Sequence, residues 1–297
     1  MTCAAIPEQR PTRSWHSPDR PNQRPSLNAI PAMTDTADAF SRLMAAHRSI
    51  RRYQDRPIDP ELLDRVLVQA LAGSSSSGNL NMISVVRTRD PERKKKLFEF
   101  HFEQPMGLQA PLVLTFCADT FRTRQWLAQR GARLGFADLI SYHVAAFDAI
   151  ILSQTTALAL ESHGLGICYM GTTLHSMGAI ADFLELPGNC LPVTSMVVGW
   201  PDESMPARDR LPPQAWIHDE RYQRPSAEDI DARFAERERR GRERYLSAGP
   251  EMARLWQEHG ITSLAQFYTS KIKYDPDVFA PDSAALEALL RERGFLK

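Results

Sequence analysis

Residues 137–170 read ADLISYHVAAFDAIILSQTTALALESHGLGICYM, a long apolar segment followed by a glycine turn and a second, shorter apolar run. Five apolar side chains recur here at the spacing of one helix face: Ile140, Val144, Phe147, Ile151 and Leu158. This period predicts a helix over residues 137–163, the longest of the chain. Gly164 is expected to end the helix, and the ICYM run after it predicts a strand.

Three further apolar runs predict the other strands of a central sheet. PLVLTFCAD at 111–119 and VTSMVVGW at 193–200 are typical of buried strands, and MISVVRT at 82–88 is a third candidate. Asp-Pro pairs at 59–60 and 90–91 predict helix starts, because aspartate caps a helix and proline suits its first position. Helices that alternate with such strands predict an α+β fold in layers around a sheet of mixed type.

The composition argues against several classes of protein. The 297 residues include 36 basic and 36 acidic side chains, so the formal net charge is zero, whereas a general nucleic-acid binder carries a basic excess. The four cysteines lack CxxC spacing, which argues against a metal site and favours reduced thiols in the cytoplasm. No run of about 18 apolar residues occurs, so no membrane span is predicted.

Three regions along the chain differ in character. Residues 1–34 are polar and rich in proline, which predicts a disordered N-terminal tail. Residues 35–216 hold the predicted sheet and its helices. Residues 217–297 are predicted to form a charged helical extension, whose first helix begins at a capping box made by Ser226 and Asp229.

Two segments far apart in the sequence each bring arginines together: HRSIRRY at 47–53 and GWPDESMPARDRLP at 199–212. Arginine forks match phosphate oxygens, and Arg208 and Arg210 lie two residues apart, so an extended backbone directs both to one side. For each segment alone, a salt-bridged surface loop is a comparable explanation. Taken together, the two segments favour a shared site for one dianion.

Two other segments supply uncharged donors. SSSSGNLN at 74–81 offers hydroxyls, amides and a glycine that allows close backbone approach, although a serine run by itself is more often a plain loop. GLGICYMGTTL at 164–174 superficially matches the glycine pattern of dinucleotide-binding folds. It follows a predicted helix and precedes a strand, which is the reverse of the order that those folds require.

In their order and spacing, these four segments resemble the FMN-dependent nitroreductase family, and most closely its NADPH-preferring branch of oxygen-insensitive nitroreductases and flavin reductases. The resemblance covers about residues 37–220 and implies a three-layer α+β fold whose central sheet is mixed or antiparallel. It also implies an FMN cofactor. The FMN-binding residues that it implies are His47, Arg48, Ser49, Arg51, Ser75, Ser76, Ser77, Asn79, Gln104, Tyr169, Met170, Gly171, Thr172, Arg208 and Arg210.

The resemblance also assigns roles to these residues. Arg48, Ser49 and Arg51 are expected to bind the FMN phosphate and ribityl chain. The serine segment is expected to contact the ribityl chain and the pyrimidine edge, and residues 169–172 are expected to lie against the ring near N5. Asn81 stands where the family often has glutamine, so that contact is left unassigned.

The function that the resemblance implies is an NAD(P)H oxidoreductase that reduces nitroaromatics, quinones or flavins by two electrons in a ping-pong cycle. No catalytic side chain is assigned, because the flavin carries the hydride chemistry. The family is typically a homodimer with FMN at the subunit interface, and its other partner is a small-molecule electron acceptor; neither nucleic acid nor membrane is expected. The alternatives are a non-catalytic flavin-binding or delivery protein, and another flavin reaction such as dehalogenation or enoate reduction.

Overall fold

The computed structural model describes residues 33–297, and residues 43–297 form one compact unit. The tail predicted for residues 1–34 lies outside the described residues, except for its last two, which begin a helix. The strands are β1 Ile83–Thr88, β2 Leu112–Asp119, β3 Gly166–Met170 and β4 Cys190–Gly199. The helices are α1 Met33–Ala46, α2 Pro60–Ala72, α3 Pro91–Phe100, α4 Met106–Gln109, α5 Phe121–Gln129, α6 Leu139–Ser162, α7 Met177–Phe183, α8 Ala227–Leu246, α9 Pro250–Glu258, α10 Leu264–Tyr268 and α11 Pro276–Glu292.

The four strands form one sheet in the order β1-β2-β4-β3, and all three neighbouring pairs are antiparallel. The mixed character expected from the sequence is limited to one parallel bridge, between Ser49 and Ile167. This bridge joins the arginine segment at 47–53 to the outer strand β3. The fold therefore places that segment at one edge of the sheet.

Helices cover both faces of the sheet, as the predicted three-layer arrangement requires. Along β2, Leu112, Leu114 and Phe116 pack with buried residues of α2 and α6. Val113, which points to the opposite face, packs with buried residues of α3, α4 and α7. This alternation follows from the two-residue period of a strand, and it explains why the strand is apolar throughout.

The local signals at helix starts predicted the structure well. Asp59 and Asp90 accept hydrogen bonds from the backbone N–H groups of Glu61 (3.0 Å) and Arg93 (2.8 Å), so both Asp-Pro helix starts are confirmed. The capping box that opens α8 is also present. The C-terminal helices α8, α9 and α10 share a small apolar cluster of their own. The boundary expected between residues 216 and 217 stays a prediction.

The long helix α6 is present, but its most apolar stripe faces away from the sheet. Ile140, Phe147 and Ile151 are exposed, and the side chain of Phe147 reaches 63% exposure. The side that packs on the sheet carries smaller residues such as Ala149 and Ala157. By length and composition α6 could cross a membrane, which differs from the expectation that no such segment exists. In this fold, α6 packs against the sheet and α2, and residues 33–297 leave one of its apolar faces uncovered.

Candidate functional site

The arginine segment is held in place by its two buried apolar side chains. Ile50 and Tyr53 are buried against β3 and β4, and the Ile50 N–H donates to the Ile167 carbonyl at 2.9 Å. A Cβ atom at Gly166 would lie 2.7 Å from Ile50, so glycine is needed there for the segment to approach the sheet. Because these two side chains point inward, Arg51 and Arg52 between them are directed to the surface.

Hydrogen bonds of Arg48 join the two arginine segments. Its Nε donates to the carbonyl of Met205 at 3.1 Å, and its Nη1 donates to the carbonyls of Ala45 and His47. These bonds bring residues 47–51 against the segment that leads to Arg208 and Arg210. A cavity of about 380 Å³ opens beside Arg48.

Four arginines of these two segments lack an ion-pair partner in the part of the chain that the structure describes. Arg48, Arg51, Arg208 and Arg210 have no carboxylate within ion-pair distance among residues 33–297. Asp209 instead faces α8, where Arg244 (3.4 Å) and Arg237 (3.7 Å) approach it. Four arginines without a counter-charge in these two segments fit a phosphate dianion.

Two basic residues beside these arginines, Arg52 and His47, each face a carboxylate of the chain. Arg52 lies 3.8 Å from Glu203, whose carboxylate also accepts the backbone N–H of Arg51. His47 is paired through Nδ1 with Glu161 of α6 at 2.6 Å. Burial raises the pKa of Glu161, and the facing imidazole partly offsets the shift. His47 is therefore tied to the end of α6 and lies beside the arginines.

The serine segment is anchored to the middle of α6 by one buried carboxylate. Asp148, which is only 2% exposed, accepts the hydroxyl of Ser76 at 2.6 Å and the backbone N–H of Ser77 at 3.1 Å. The Ser76 hydroxyl proton is thus used within the chain, and its oxygen accepts the N–H of Asn81. The side chains of Ser75, Ser77 and Asn79 are exposed.

A third group of predicted residues gathers where β3 ends. Thr172 Oγ1 lies 3.4 Å from the side-chain amide of Gln104, which donates to it, so these two predicted residues meet. Gly171 is exposed, and a Cβ atom there would meet no atom within 4 Å, so its backbone is open to a ligand. Tyr169 turns to the other face and donates its hydroxyl to Ser153 of α6 at 3.2 Å. Met170 is buried in the core.

Sequence reasoning missed one member of this group, His101. Its Nδ1 lies 2.9 Å from Thr172 Oγ1, its residue is 1% exposed, and its Nε2 has no partner among the described residues. Burial lowers the pKa of His101 to about 4, so the ring is neutral at pH 7. Its position three residues before Gln104, at the end of a predicted helix, was the one sequence signal for it.

The contacts of the arginine and serine segments with helix α6 allow the separation of the two segments to be estimated. His47 is bound to Glu161 and Ser76 to Asp148, and these acceptors are thirteen residues apart on the same helix. At 1.5 Å per residue, the two contacts lie about 20 Å apart. Within one chain, this separation of the two tethers argues against both segments contacting the short ribityl chain of a single FMN.

The residues present fit an FMN cofactor by their chemistry. The unneutralised arginines match its phosphate, and the open backbone at Gly171 with the Thr172 and Gln104 pair offers neutral polar groups for the edge of a flat ring.

Comparisons with known proteins agree with this architecture. A model of the nitroreductase family matches residues 44–200. The NADPH-type FMN reductase of Bacillus subtilis is 32% identical over 178 residues, which cover 59% of this chain and 71% of that protein. The oxygen-insensitive NADPH nitroreductase of Salmonella typhimurium is 31% identical over 218 residues, which cover 73% of this chain and 87% of that protein.

Similarity in structure extends further than similarity in sequence. The solved structure of NfrA2 from B. megaterium superposes with a TM-score of 0.73 and 31% identity, and covers 87% of this chain and 98% of its own. The superposed part of this chain is longer than the stretch from 44 to 200 that the family model matches, and it therefore includes residues of the C-terminal helices. Because the family model spans more than half of the chain, and the Salmonella relative is matched over most of its length, this chain belongs to the nitroreductase family.

Proposed function

We propose that the protein is an FMN-dependent NAD(P)H oxidoreductase that reduces nitroaromatics, quinones or flavins by two electrons in a ping-pong cycle. The observation that carries the proposal is a set of four arginines that have no carboxylate partner among residues 33–297. They lie in two segments that Arg48 joins through its bond to Met205. The names of the relatives, an FMN reductase and an NADPH nitroreductase, support the same activity.

In this proposal the chain binds and orients the cofactor. When bound, FMN supplies the hydride chemistry between nicotinamide and acceptor. Arg48, Arg51, Arg208 and Arg210 hold the phosphate, with Ser49 and His47 beside them. The serine segment holds the ribityl chain and pyrimidine edge through Ser75, Ser76, Ser77 and Asn79. The ring lies against the segment from Tyr169 through Met170 and Gly171 to Thr172, next to Gln104.

The same proposal includes a homodimer in which each FMN site takes residues from both chains. The 20 Å separation between the arginine and serine segments supports it, because a second copy can bring its serine segment to the arginines of the first. The exposed apolar face of α6, with Ile140, Phe147 and Ile151, supplies a surface that such a dimer would bury. Cys117, Cys168 and Cys190, the cysteines among the described residues, are buried and form no disulfide, which suits the reducing cytoplasm that we propose as the location.

Visible spectroscopy of the purified protein tests the activity. A bound flavin spectrum should bleach on anaerobic addition of NADPH or NADH and return when a quinone or a nitroaromatic is added. A flavin that neither nicotinamide reduces would contradict the enzyme and favour a flavin-binding or delivery protein. A flavin that is reduced but is reoxidised by neither acceptor would favour another flavin reaction.

A pair of variants tests the assignment of the phosphate site. The double variant Arg48→Ala, Arg210→Ala should lose its flavin on purification, because each segment then loses one of its two phosphate-binding arginines. Arg52→Ala is the matched control, since Arg52 belongs to the same segment but faces Glu203, and it should keep its flavin. Retention of FMN by the double variant would refute the assignment.

A further inference from the structure

The turn that follows α3 holds a bulky side chain where helices usually place glycine. The N–H of Phe102 donates to the carbonyl of Glu99, and the N–H of Glu103 donates to the carbonyl of Phe98. This pair of bonds is the Schellman motif, whose first residue after the cap is left-handed. Phe102 has φ of 56° and Glu103 has φ of 53°, a conformation that costs energy for any residue with a Cβ atom.

Other helices of the same chain show what this position normally holds. Four of them end with the same pair of bonds and place a left-handed glycine there: Gly131, Gly164, Gly260 and Gly294. Among the described helices that end this way, Phe102 after α3 and Glu185 after α7 are the exceptions. A phenylalanine at this position therefore runs against the pattern that the chain itself follows.

Core packing does not compensate for the strain at Phe102. The residue is 60% exposed, and the ring that lies close to it among residues 33–297 is that of His175, at a centroid distance of 5.9 Å. Strained backbone that packing does not explain is concentrated at functional sites in proteins. The strain and the exposure of Phe102 together indicate that its ring binds a ligand.

Three bonds fix the turn beside the segment proposed to hold the flavin ring. His101 Nδ1 lies 2.9 Å from Thr172 Oγ1, and Gln104 donates to the same oxygen at 3.4 Å. The hydroxyl of Ser176 donates to the carbonyl of Phe100 at 2.7 Å. The residues on both sides of the left-handed pair are therefore anchored to Thr172, the residue after Gly171, and the exposed Phe102 lies between these two anchors.

We infer that Phe102 is an aromatic platform on which the ring of the electron acceptor stacks, and that it sets a preference for aromatic acceptors. The inference rests on the proposed function, because it takes residues 169–172 as the place of the flavin ring. An acceptor must lie against that ring to receive electrons, and an exposed phenyl group at its border offers a second apolar surface. Stacking between aromatic rings favours such binding by about tenfold in affinity.

The experiment compares acceptors that differ in their capacity to stack. Phe102→Gly should lower kcat/KM about tenfold for menadione and for a nitroaromatic, and leave turnover with ferricyanide, which has no aromatic ring, unchanged. Its Tm should rise by about 2–4 °C, because glycine removes the left-handed strain. Phe102→Tyr keeps the ring and should retain kcat/KM for every acceptor within about twofold.

Glu185→Gly is the matched control for strain relief, since Glu185 is exposed and occupies the same motif position after α7. It should raise the Tm without changing kcat/KM for any of the three acceptors. Three results would overturn the inference: Phe102→Gly leaves menadione turnover unchanged, it lowers ferricyanide turnover equally, or it changes only the KM for NADPH. Wild-type protein that oxidises neither NADPH nor NADH with any of the three acceptors or with free flavin would instead refute the proposed function itself, and the inference with it.

Discussion

Arg48 gives a quantitative prediction about the FMN phosphate. Three of the five N–H donors of its guanidinium go to the backbone carbonyls of Met205, Ala45 and His47. The two N–H groups on Nη2 are left for a ligand. The three backbone bonds also hold the planar fork in a fixed orientation, so little conformational entropy is lost when an anion binds.

The magnitude follows from the bonds that remain for the phosphate. A hydrogen bond to a charged group contributes about 1.5–3 kcal/mol, so losing one of them in Arg48→Ala should raise the Kd for FMN about 10- to 150-fold. Arg48→Lys keeps the charge but cannot form the fork or the bonds to the three carbonyls, and it should give an intermediate Kd.

The assay is titration of the flavin-free protein, followed by flavin fluorescence. Riboflavin is the matched ligand, because it lacks the phosphate and should bind Arg48→Ala and the wild type with the same Kd. If both flavins are weakened equally, Arg48 acts only by holding the 199–212 segment, and the phosphate role is refuted. An unchanged Kd for FMN would refute it as well.

Three further predictions concern assembly and stability. Phe147→Asp should shift the protein from dimer to monomer in sedimentation velocity, because it puts a charge on the exposed apolar face of α6; an unchanged dimer would move the interface elsewhere. Gly166→Ala should lower the free energy of unfolding by about 1–3 kcal/mol in urea, since its Cβ would lie 2.7 Å from Ile50, and an unchanged midpoint would show that the segment can shift. Burial lowers the pKa of His101 from 6.5 to about 4, so the unfolded chain takes up a proton before the folded chain does as the pH falls. Up to about 3 kcal/mol of the free energy of unfolding should therefore be lost between pH 6.5 and pH 4. His101→Asn should remove that pH slope, and a slope that persists would assign it to other groups.

Much of the fold could be predicted because it depends on local signals. The helix starts at Asp59 and Asp90 and the capping box at Ser226 are short-range hydrogen bonds, and the sequence alone specifies them. The apolar strands could also be found from the sequence, because each is a short continuous run of apolar residues. The sheet order β1-β2-β4-β3 depends on long-range pairing, and the strand patterns did not reveal that all its neighbouring strands are antiparallel.

The face of α6 and the surroundings of Thr172 show where sequence reasoning ends. Periodicity identified the most apolar stripe of α6, but the helix packs on the sheet through smaller residues that allow close approach, and the stripe with Phe147 stays exposed. His101 and Phe102 carried no motif. Their importance comes from a bond to Thr172 about 70 residues away in the chain and from a backbone angle that no residue pattern encodes.

The proposed FMN site takes residues from two chains of a dimer, and a mixed dimer tests this arrangement. One chain carries Arg48→Ala and Arg210→Ala, and the other carries Ser75→Glu and Ser77→Glu. Each variant alone should form flavin-free homodimers, because both of its sites lack one half.

The measurement is the FMN content and NADPH-oxidation rate of the co-expressed, doubly tagged heterodimer. We expect one FMN per two chains and about half of the wild-type rate per dimer, since one site then has both intact halves and the other has neither. A heterodimer as empty as its parents would mean that the arginine and serine segments act on one flavin within a single chain, and would refute the two-chain site.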